Sequence, residues 1–381
     1  MRKLFVLFLA LSLVLGMMAP AVAETPNYKI AILTGTTTQG EEEYRAAETL
    51  KAQYPDIVIT DTYPDNFNAE VETTIGKLLT FANDPDVKAI IMVQAVAGAT
   101  AAFTQIKETR PDILLIAGVV AEDPADISAA ADIAINSDDL GGGAQIVETA
   151  SEWGVDVLVH YSFARHLGME TIVARLNILK EEAEDAGIQL VERDVPDPLG
   201  EGGVSNAQNY VLEDVPKVME EYAGKKVAFF CTNCGIQEAL QAAILKEVRD
   251  GKEAYYPLPC CPSPFHGFPA SLDVAVDPED YGNIPAYIQK AAEKLQEYNA
   301  LGHFSTWAAP VNMAMILSSF EYAQNYIQNG GERVDKDQLH AAFVKATGSD
   351  LSVTEYVDGD GREYDNFFMI LFDNIDFNDY I

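Results

Sequence analysis

The feature that most constrains this chain is a regular alternation of short apolar segments with longer amphipathic ones. Segments such as 28–33 (YKIAIL), 88–93 (KAIIMV) and 155–160 (VDVLVH) are rich in β-branched residues, which is typical of buried parallel strands. The segments between them are long enough, and amphipathic enough, to form helices. This alternation is the pattern of βαβ units, so the sequence predicts an α/β fold built on parallel sheets.

The alternation allows individual elements to be placed along the chain. Strands are predicted at residues 28–33, 57–61, 88–93, 113–120, 133–136, 155–160, 188–193, 226–230, 254–258 and 366–372. Helices are predicted at residues 41–54, 70–82, 100–109, 144–153, 169–185, 206–222, 236–248, 285–298, 311–328 and 336–345. The two halves repeat the same order of strands and helices, which predicts two similar lobes.

A glycine triplet at 141–143 separates the two halves of the pattern. Glycine backbone freedom suits either a hinge or a simple turn before the next helix, and both interpretations remain open. We predict an N-terminal lobe over residues 24–138 and a C-terminal lobe over 139–277. Residues 278–381 break the alternation, and we interpret them as a returning segment that contributes helices and a strand across the hinge to the lobes.

The N-terminus has the composition of a cleavable secretion signal. Arg2 and Lys3 precede an apolar run over about residues 4–18, and a small-residue triplet ends at Ala23. The apolar run is shorter than the ~20 residues of a membrane-spanning helix. The sequence therefore predicts a signal peptide at residues 1–23 and a periplasmic or secreted protein.

Two further observations concern the membrane and macromolecular partners. The first cysteine is Cys231, so no cysteine stands near Ala23 to carry a lipid, and no later segment is apolar for long enough to cross a membrane. Loss of Arg2 and Lys3 would take the formal charge from −34 to about −36. Such an acidic chain is a poor partner for nucleic acid or anionic lipid, and we expect no stable membrane insertion after cleavage.

The loop after the first predicted strand is rich in hydroxyl groups. Residues 34–40 (TGTTTQG) place four threonines and Gln39 at the start of a helix, where free N–H groups suit an anionic or carbonyl group. A capped turn is the alternative interpretation. Glu41, Glu42 and Glu43 follow at once, and they could fill the same electrostatic role from within the helix.

Polar side chains also follow other predicted strands, where ligands bind in open parallel sheets. In the first lobe these are Gln94, Thr100, Glu122, Asp123, Ser137 and Asp138, although the carboxylates could equally be surface or capping groups. In the second lobe, Tyr161 and Arg165 combine an aromatic ring with a guanidinium that pairs well with carboxylate or phosphate. An ion pair is the alternative for Arg165. Phe265, His266 and Trp307 could supply aromatic walls or belong to the core.

Four cysteines follow two successive predicted strands. Cys231 and Cys234 form a Cys-Thr-Asn-Cys motif, and Cys260 and Cys261 are adjacent. An exported protein favours disulfides, and neighbouring strands would allow Cys231–Cys260 or Cys234–Cys261. A four-thiolate zinc site is the less favoured alternative, because adjacent cysteines reach one tetrahedral ion poorly. We predict no metal.

Residues 226–243 (KKVAFFCTNCGIQEALQA) resemble the strand, loop and helix of ribose- and galactose-type binding proteins. Asn233 stands at the asparagine of that motif, whereas Cys234 replaces its usual aspartate. Residues 82–93 (ANDPDVKAIIMV) and the order of the two lobes are also similar to the type I periplasmic solute-binding superfamily. Within it, residues 159–169 (VHYSFARHLGM) and the cysteine pairs look closest to an uncharacterised bacterial extracytoplasmic family.

The resemblance implies the type I periplasmic-binding-protein fold, in which two Rossmann-like lobes with parallel sheets are joined by a multi-strand hinge. It also implies a solute-binding protein, not an enzyme, that closes over a small polar ligand and delivers it to an ABC-type importer without a cofactor. A sensor that presents a signal to a membrane receptor, and a thiol-disulfide oxidoreductase using Cys231 and Cys234, are the alternatives. The predicted ligand-binding residues are Thr34, Thr36, Thr37, Gln39, Gln94, Tyr161, Arg165, Asn233 and His266.

Overall fold

The computed structural model describes residues 27–381, apart from the side chains of Gln39 and Glu170. The signal peptide predicted at residues 1–23 lies outside the described residues. Within residues 27–381, no helix combines the length and apolar character needed to cross a membrane.

The N-terminal lobe is built on a seven-stranded sheet with helices on both faces. Its strand order is β11-β12-β5-β4-β3-β1-β2, and all neighbours are parallel except the antiparallel pair β11 and β12. The strands β1 and β3–β5 are almost wholly buried because helices cover both faces of the sheet. The first nine elements are β1 (Lys29–Thr34), α1 (Thr37–Gln53), β2 (Val58–Thr62), α2 (Val71–Asn83), β3 (Val87–Val93), α3 (Ala99–Thr109), β4 (Leu114–Gly118), α4 (Pro124–Ala130) and β5 (Ile133–Ser137).

The C-terminal lobe repeats this architecture around a smaller sheet. Its four strands are all parallel and follow the order β7-β6-β8-β9. The elements of this lobe are α5 (Asp139–Glu152), β6 (Val157–Ser162), α6 (Glu170–Ala186), β7 (Gln189–Asp194), α7 (Gly203–Glu221), β8 (Val227–Cys231), α8 (Cys234–Arg249), β9 (Ala254–Tyr255) and α9 (Phe268–Leu272).

The remaining chain passes repeatedly between the lobes. Helix α10 packs against α9, whereas α11 packs on α1 and on the sheet of the N-terminal lobe. Strands β10 and β13 pair with each other in an antiparallel ribbon. The elements are α10 (Ile284–Glu297), β10 (Ser305–Trp307), α11 (Val311–Asn329), α12 (Lys336–Thr347), β11 (Leu351–Val357), β12 (Glu363–Phe372) and β13 (Asn374–Asp376). The chain therefore crosses between the lobes after β5, after β10 and after β12, which forms a multi-strand hinge.

Most predicted elements occupy the predicted positions, but one strand is shorter than predicted, and helices α4 and α9 and strands β10, β11 and β13 were not predicted. The strand predicted at 254–258 ends at Tyr255, since Pro257 and Pro259 lack the N–H groups that a sheet requires. The returning segment adds two strands to the N-terminal sheet, β11 and β12, where one was predicted. Strand β11 alternates buried and exposed residues along much of its length, so it lacks the apolar run used to recognise the other strands.

The glycine triplet belongs to a helix, contrary to the turn or hinge suggested by its sequence. Helix α5 begins at Asp139 and includes all three glycines. A Cβ atom on Gly142 would lie 3.3 Å from the Trp307 ring, and one on Gly143 would lie 2.9 Å from Arg175 Cγ. These glycines thus permit close packing of the helix against β10 and α6. Glycine is suited to these positions because it has no side chain, not because its backbone is flexible.

Candidate ligand cavity between the two lobes

A cavity of about 470 Å³ lies where strand ends from both lobes face each other. Pockets of this size accommodate small-molecule ligands. The N-terminal lobe and the start of α11 contribute one wall, and the loops after β8 and β9 with the segment before α10 contribute the other. The lining residues are Thr38, Gly40, Glu41, Glu42, Glu43, Gln94, Cys234, Cys261, Pro262, Ser263, Phe265, His266, Tyr281 and Asn312.

The first wall is organised around a buried carboxylate, that of Glu43. This side chain is only 2% exposed, and its Oε1 accepts hydrogen bonds from Gln94 Nε2 at 3.1 Å and from Asn312 Nδ2 at 3.0 Å. A Cβ at Gly40 would lie 2.7 Å from Glu43 Oε2, so glycine leaves room for the carboxylate. Helix α1 bends at Gly40, and the three glutamates form the first turn beyond the bend.

A hydrogen bond crosses the cavity from one lobe to the other. Ser263 Oγ, in the loop after β9, donates to Glu42 Oε1 on α1. The pKa of Glu42 is raised to about 8, mainly by burial and also by the neighbouring charges of Glu43 and Glu41, while the bond from Ser263 opposes the shift. Glu42 is therefore largely protonated at neutral pH in this arrangement. The contact holds the two lobes together.

The opposite wall depends on Gln237, a fully buried residue of α8. Its Oε1 accepts hydrogen bonds from the Cys260 thiol and from the backbone N–H of Cys261, each at 3.0 Å, while its Nε2 donates to the carbonyl of His266 at 2.8 Å. One side chain thereby fixes both ends of the loop that carries Ser263 and Phe265.

The same loop is joined covalently to the start of α8. Cys234 and Cys261 form a disulfide with a Cα–Cα distance of 5.8 Å, which is one of the two pairings proposed from the sequence. Cys231 and Cys260 remain as thiols, with their sulfurs 3.9 Å apart. Burial raises the pKa of the Cys231 thiol well above its usual value. The described chain thus contains one disulfide beside one close thiol pair.

One group of residues has the spacing of a metal site. The sulfurs of Cys234 and Cys261 and a ring nitrogen of His266 all lie within 4.8 Å of one another. Cysteine binds zinc as the thiolate, and the disulfide removes both thiolates, which leaves His266 as the single ligand of this group. In this oxidation state the group does not offer a metal site.

None of the three threonines predicted to bind the ligand, Thr34, Thr36 and Thr37, lines the cavity. Thr34 is buried and donates to the carbonyl of Gly35, and Thr36 caps α1 and donates to Asp65. Thr37 is exposed at the start of α1 and does not line the cavity, whereas Thr38 does. The side chain of Gln39 lies outside the described part of the structure. The capped-turn alternative therefore accounts for Thr36 in this loop.

The predicted pair Tyr161 and Arg165 has other partners. Tyr161 is fully buried, and its hydroxyl donates to Asp214 at 3.0 Å. Arg165 forms a two-pronged ion pair with Asp197, at 2.8 and 2.9 Å, with its side chain 43% exposed. Neither lines the cavity. A guanidinium that is satisfied by a neighbouring carboxylate is not presented to a ligand, so the ion-pair alternative describes Arg165.

Three other predicted residues lie at or beside the cavity. Gln94 and His266 line it on opposite walls. Asn233 caps α8 by accepting a hydrogen bond from the N–H of Gly235 at 2.9 Å, next to the cavity residue Cys234. Desolvation lowers the pKa of His266, which favours a neutral imidazole at neutral pH.

Aromatic residues complete the wall contributed by the second lobe. The rings of Phe265 and Tyr281 lie 5.2 Å apart, and both line the cavity. Trp307, the other aromatic candidate, is 4% exposed and donates its indole N–H to the carbonyl of Pro259. Trp307 is thus part of the core beneath the hinge.

The sequence interpretation missed several residues of the cavity. Asn312 and Tyr281 come from the returning segment, where the strand-helix alternation breaks down and predicts no strand end at which to expect them. Gln237 had a usable signal, since it is a polar residue on the mostly apolar buried face of α8. Buried polar side chains of this kind normally hold a specific hydrogen-bond network.

The chain matches one protein family and is similar to an uncharacterized bacterial protein. Residues 28–305 match the family described as Protein of unknown function (DUF3798). The chain belongs to this family. The chain is also similar to an uncharacterized protein of Treponema pallidum (strain Nichols). The two are 32% identical over 181 residues, which cover 46% of this chain and 82% of the relative.

Solved structures show the fold of the DUF3798 chain. A Clostridium difficile 630 protein described as a candidate transcriptional regulator superposes with a TM-score of 0.83 at 20% identity, covering 91% of this chain and 98% of that one. A periplasmic ribose ABC transporter protein of Conexibacter woesei superposes with a TM-score of 0.51 at 10% identity, covering 81% and 88%. The fold is that of the type I periplasmic binding proteins, as the sequence resemblance implied.

Proposed function

We propose that this protein is an extracytoplasmic solute-binding protein that closes its two lobes over a small polar ligand and delivers it to an ABC-type importer. The observation that carries the proposal is the interlobe cavity, whose walls come from strand ends of both lobes and are bridged by Ser263 and Glu42. A ligand held by both walls stabilises the closed arrangement, which is how two-lobed proteins couple binding to a change of shape.

The position of the cavity supports binding over catalysis. It lies beyond the carboxyl ends of β1, β3 and β8, where open α/β sheets bind their ligands. The oxidoreductase alternative requires Cys231 and Cys234 to act as a pair. Cys234 is instead bonded to Cys261, and Cys231 is buried with a raised pKa, which opposes thiolate chemistry.

The net charge of the chain favours binding of a solute over binding of DNA. The description of the Clostridium difficile protein concerns transcription, but this chain carries a formal charge of −34. Proteins that bind nucleic acid neutralise its phosphates with lysine and arginine, whereas a strongly acidic surface repels phosphates. We therefore favour the solute-binding role.

The decisive experiment identifies the ligand. The purified protein is denatured and the released small molecules are analysed by mass spectrometry. Each candidate is then added to ligand-free protein, followed by thermal unfolding and small-angle scattering. We expect one candidate to raise the unfolding temperature and to reduce the radius of gyration. If no co-purified or added solute produces either change, the proposal is wrong.

Import is tested with the ligand in hand. A strain without the gene should lose high-affinity uptake of that solute and regain it with the wild-type gene. Unchanged uptake, together with a lost transcriptional response to the same solute, would favour the sensor alternative.

A further inference from the structure

The charge of the interlobe cavity is one-sided. Three carboxyl groups, those of Glu41, Glu42 and Glu43, line it, although that of Glu42 holds its proton at neutral pH in the ligand-free protein, and the described lining residues include no lysine or arginine. The titratable base on the opposite wall is His266, and desolvation lowers its pKa, so it adds little positive charge at neutral pH. A ligand that enters this space meets a negative potential.

Two of the three glutamates have no cationic partner within the described residues. Glu41 pairs with Arg45 at 3.3 Å, whereas no lysine or arginine of residues 27–381 forms an ion pair with Glu42 or Glu43. Buried charges in proteins are normally paired or bound to a cation, so the charge that needs a cation is that of Glu43, since Glu42 is neutralised by its proton in the ligand-free protein. Glu43 is 2% exposed and receives two neutral amide donors, so its site supplies hydrogen bonds without neutralising the charge.

A structural role at the start of a helix does not explain this arrangement. Carboxylates in the first turn do stabilise a helix through its dipole, but that role is filled equally well at the surface. Glu43 is instead directed into the protein, where Gly40 gives it space and Gln94 and Asn312 bind it from two other elements. Three separate elements therefore contribute to the setting of one carboxylate.

The wall opposite the carboxylates is aromatic. Phe265 is 8% exposed, and the centroid of its ring lies 5.2 Å from the centroid of the Tyr281 ring. Tyr281 lies in the electrostatic field of Glu41 and Glu42, although desolvation is the larger cause of its raised pKa. The faces of aromatic rings attract organic cations, and the attraction is strongest where water is excluded. This wall is a second and independent feature that favours a positively charged ligand.

The carboxylates are not arranged for a bare metal ion. Within the described residues, the one group of three or more potential metal-binding side chains with converging ligand atoms is Cys234, Cys261 and His266, and it contains no glutamate. Calcium and magnesium require several oxygen atoms around one point. A cavity of about 470 Å³ with dispersed carboxylates suits an extended organic molecule better.

We propose that the ligand is a small organic cation, a protonated amine or a quaternary ammonium compound, whose charged group lies between Glu42 and Glu43 on one wall and Phe265 and Tyr281 on the other. This inference rests on the proposed binding function and names its substrate class. It replaces the acidic or carbonyl-bearing ligand expected from the threonine loop and Arg165, because that arginine is bound to Asp197.

The test is a set of probes of similar size and different charge. Putrescine, agmatine and choline are compared with neutral ribose and anionic succinate, using calorimetry, thermal unfolding and small-angle scattering on ligand-free protein. At least one cation should bind, raise the unfolding temperature and compact the protein, and its affinity should fall as salt concentration rises. Ribose and succinate should produce no response.

Variants locate the charged group. Glu43→Gln keeps the size and the hydrogen-bonding capacity of the side chain, and it should weaken binding of the cation at least tenfold. Tyr281→Leu should weaken it severalfold by removing the aromatic face. The matched control is Glu182→Gln, which changes an exposed glutamate on α6 outside the cavity and should leave the affinity unchanged.

The outcomes separate this inference from the function on which it rests. Compaction by ribose or succinate, with no response to any cation, would overturn the cationic ligand and leave the binding function intact. The inference also fails if a cation binds equally well to the wild type and to Glu43→Gln. A protein that neither yields a co-purified solute nor responds to any probe contradicts the binding function itself.

Discussion

At the scale of single residues, the cavity is governed by which polar groups have found partners inside the protein. Arg165 is the most conspicuous cation near a strand end, yet Asp197 binds the Nε and Nη2 edge of its guanidinium with both carboxylate oxygens. Glu42 and Glu43 follow a threonine-rich loop and resemble ordinary helix-start residues, yet they lie in the cavity. A residue's chemistry was visible in the sequence, whereas its remaining capacity to bind a ligand depended on its neighbours.

Glu42 provides a pH test at this scale. Its pKa rises from 4.5 to about 8 on folding, so the folded state holds the proton more tightly than the unfolded state. The resulting stabilisation is complete below the unfolded pKa and is lost as pH rises through 8. We expect ligand-free wild type to lose roughly 4 kcal/mol of unfolding free energy from this group between about pH 5 and pH 9.

The Glu42→Gln variant keeps a partner for Ser263 and carries no charge, so it should lack that part of the pH dependence. Unfolding in urea at a series of pH values measures the difference between variant and wild type. Glu182→Gln serves as the control and should follow the wild-type curve. Parallel curves for wild type and Glu42→Gln would show that Glu42 does not titrate in this range.

At the scale of elements, short segments are fixed by contacts that lie far away in sequence. The loop after β9 is held to α8 by the side chain of Gln237 and by the Cys234–Cys261 disulfide. Helix α5 approaches β10 closely because Gly142 lies against Trp307. Both arrangements position walls of the cavity or the hinge beneath it.

The disulfide should contribute measurably to stability. It closes a loop with a sequence separation of 27 residues, for which the chain-entropy model gives roughly 3 to 4 kcal/mol. We expect the double variant Cys234→Ser, Cys261→Ser to lose about that amount of unfolding free energy in urea.

Alkylation followed by mass spectrometry tests the assignment of the four cysteines. In native wild type it should label Cys260 before the buried Cys231, and it should label Cys234 and Cys261 only after reduction. Early labelling of Cys234 would contradict the assigned bridge.

Two glycines give a matched test of helix packing. Gly142→Leu places a side chain against Trp307, where overpacking should cost about 1 to 3 kcal/mol. Gly76→Ala alters an exposed position inside α2 with nothing within 4 Å of the new Cβ, and it should stabilise the protein by about 0.5 to 1 kcal/mol. Thermal unfolding of both variants measures the contrast. A neutral Gly142→Leu would mean that α5 does not pack closely on β10.

At the scale of the whole molecule, the returning segment joins the two lobes. Helix α11 lies on the N-terminal lobe and delivers Asn312 to Glu43, while β11 and β12 extend the same sheet. Arg333 also ties this segment to the N-terminal lobe through Asp132 at 2.9 Å. In the proposed closure, movement of one lobe relative to the other concentrates in the three crossings of the hinge.

Lobe closure without ligand should depend on the bond between Ser263 and Glu42. We expect Ser263→Ala to increase the radius of gyration of ligand-free protein in small-angle scattering, since it removes a hydrogen bond that crosses the cavity. Ser352→Ala, on the exposed side of β11, is the control and should not change the scattering. Identical curves for wild type and Ser263→Ala would show that this bond does not hold the lobes closed.

The sequence by itself determined the fold class and most of the elements. Apolar β-branched strands and amphipathic helices alternate along the chain, and period and length are local properties that can be read without a structure. It also limited the disulfide to two pairings, of which Cys234–Cys261 is present, because parallel strands that follow one another bring their ends together. Strand β11 escaped recognition because its half-buried pattern lacks an apolar run.

Only the tertiary structure decided which polar residues face the ligand cavity. Gln94 and His266 line it, while Tyr161 and Arg165 are hydrogen-bonded to Asp214 and Asp197. The physical reason is that the charge and hydrogen-bonding capacity left for a ligand are what remains after contacts within the protein are made. Those contacts join residues as distant in sequence as Glu43 and Asn312, and no local pattern encodes them.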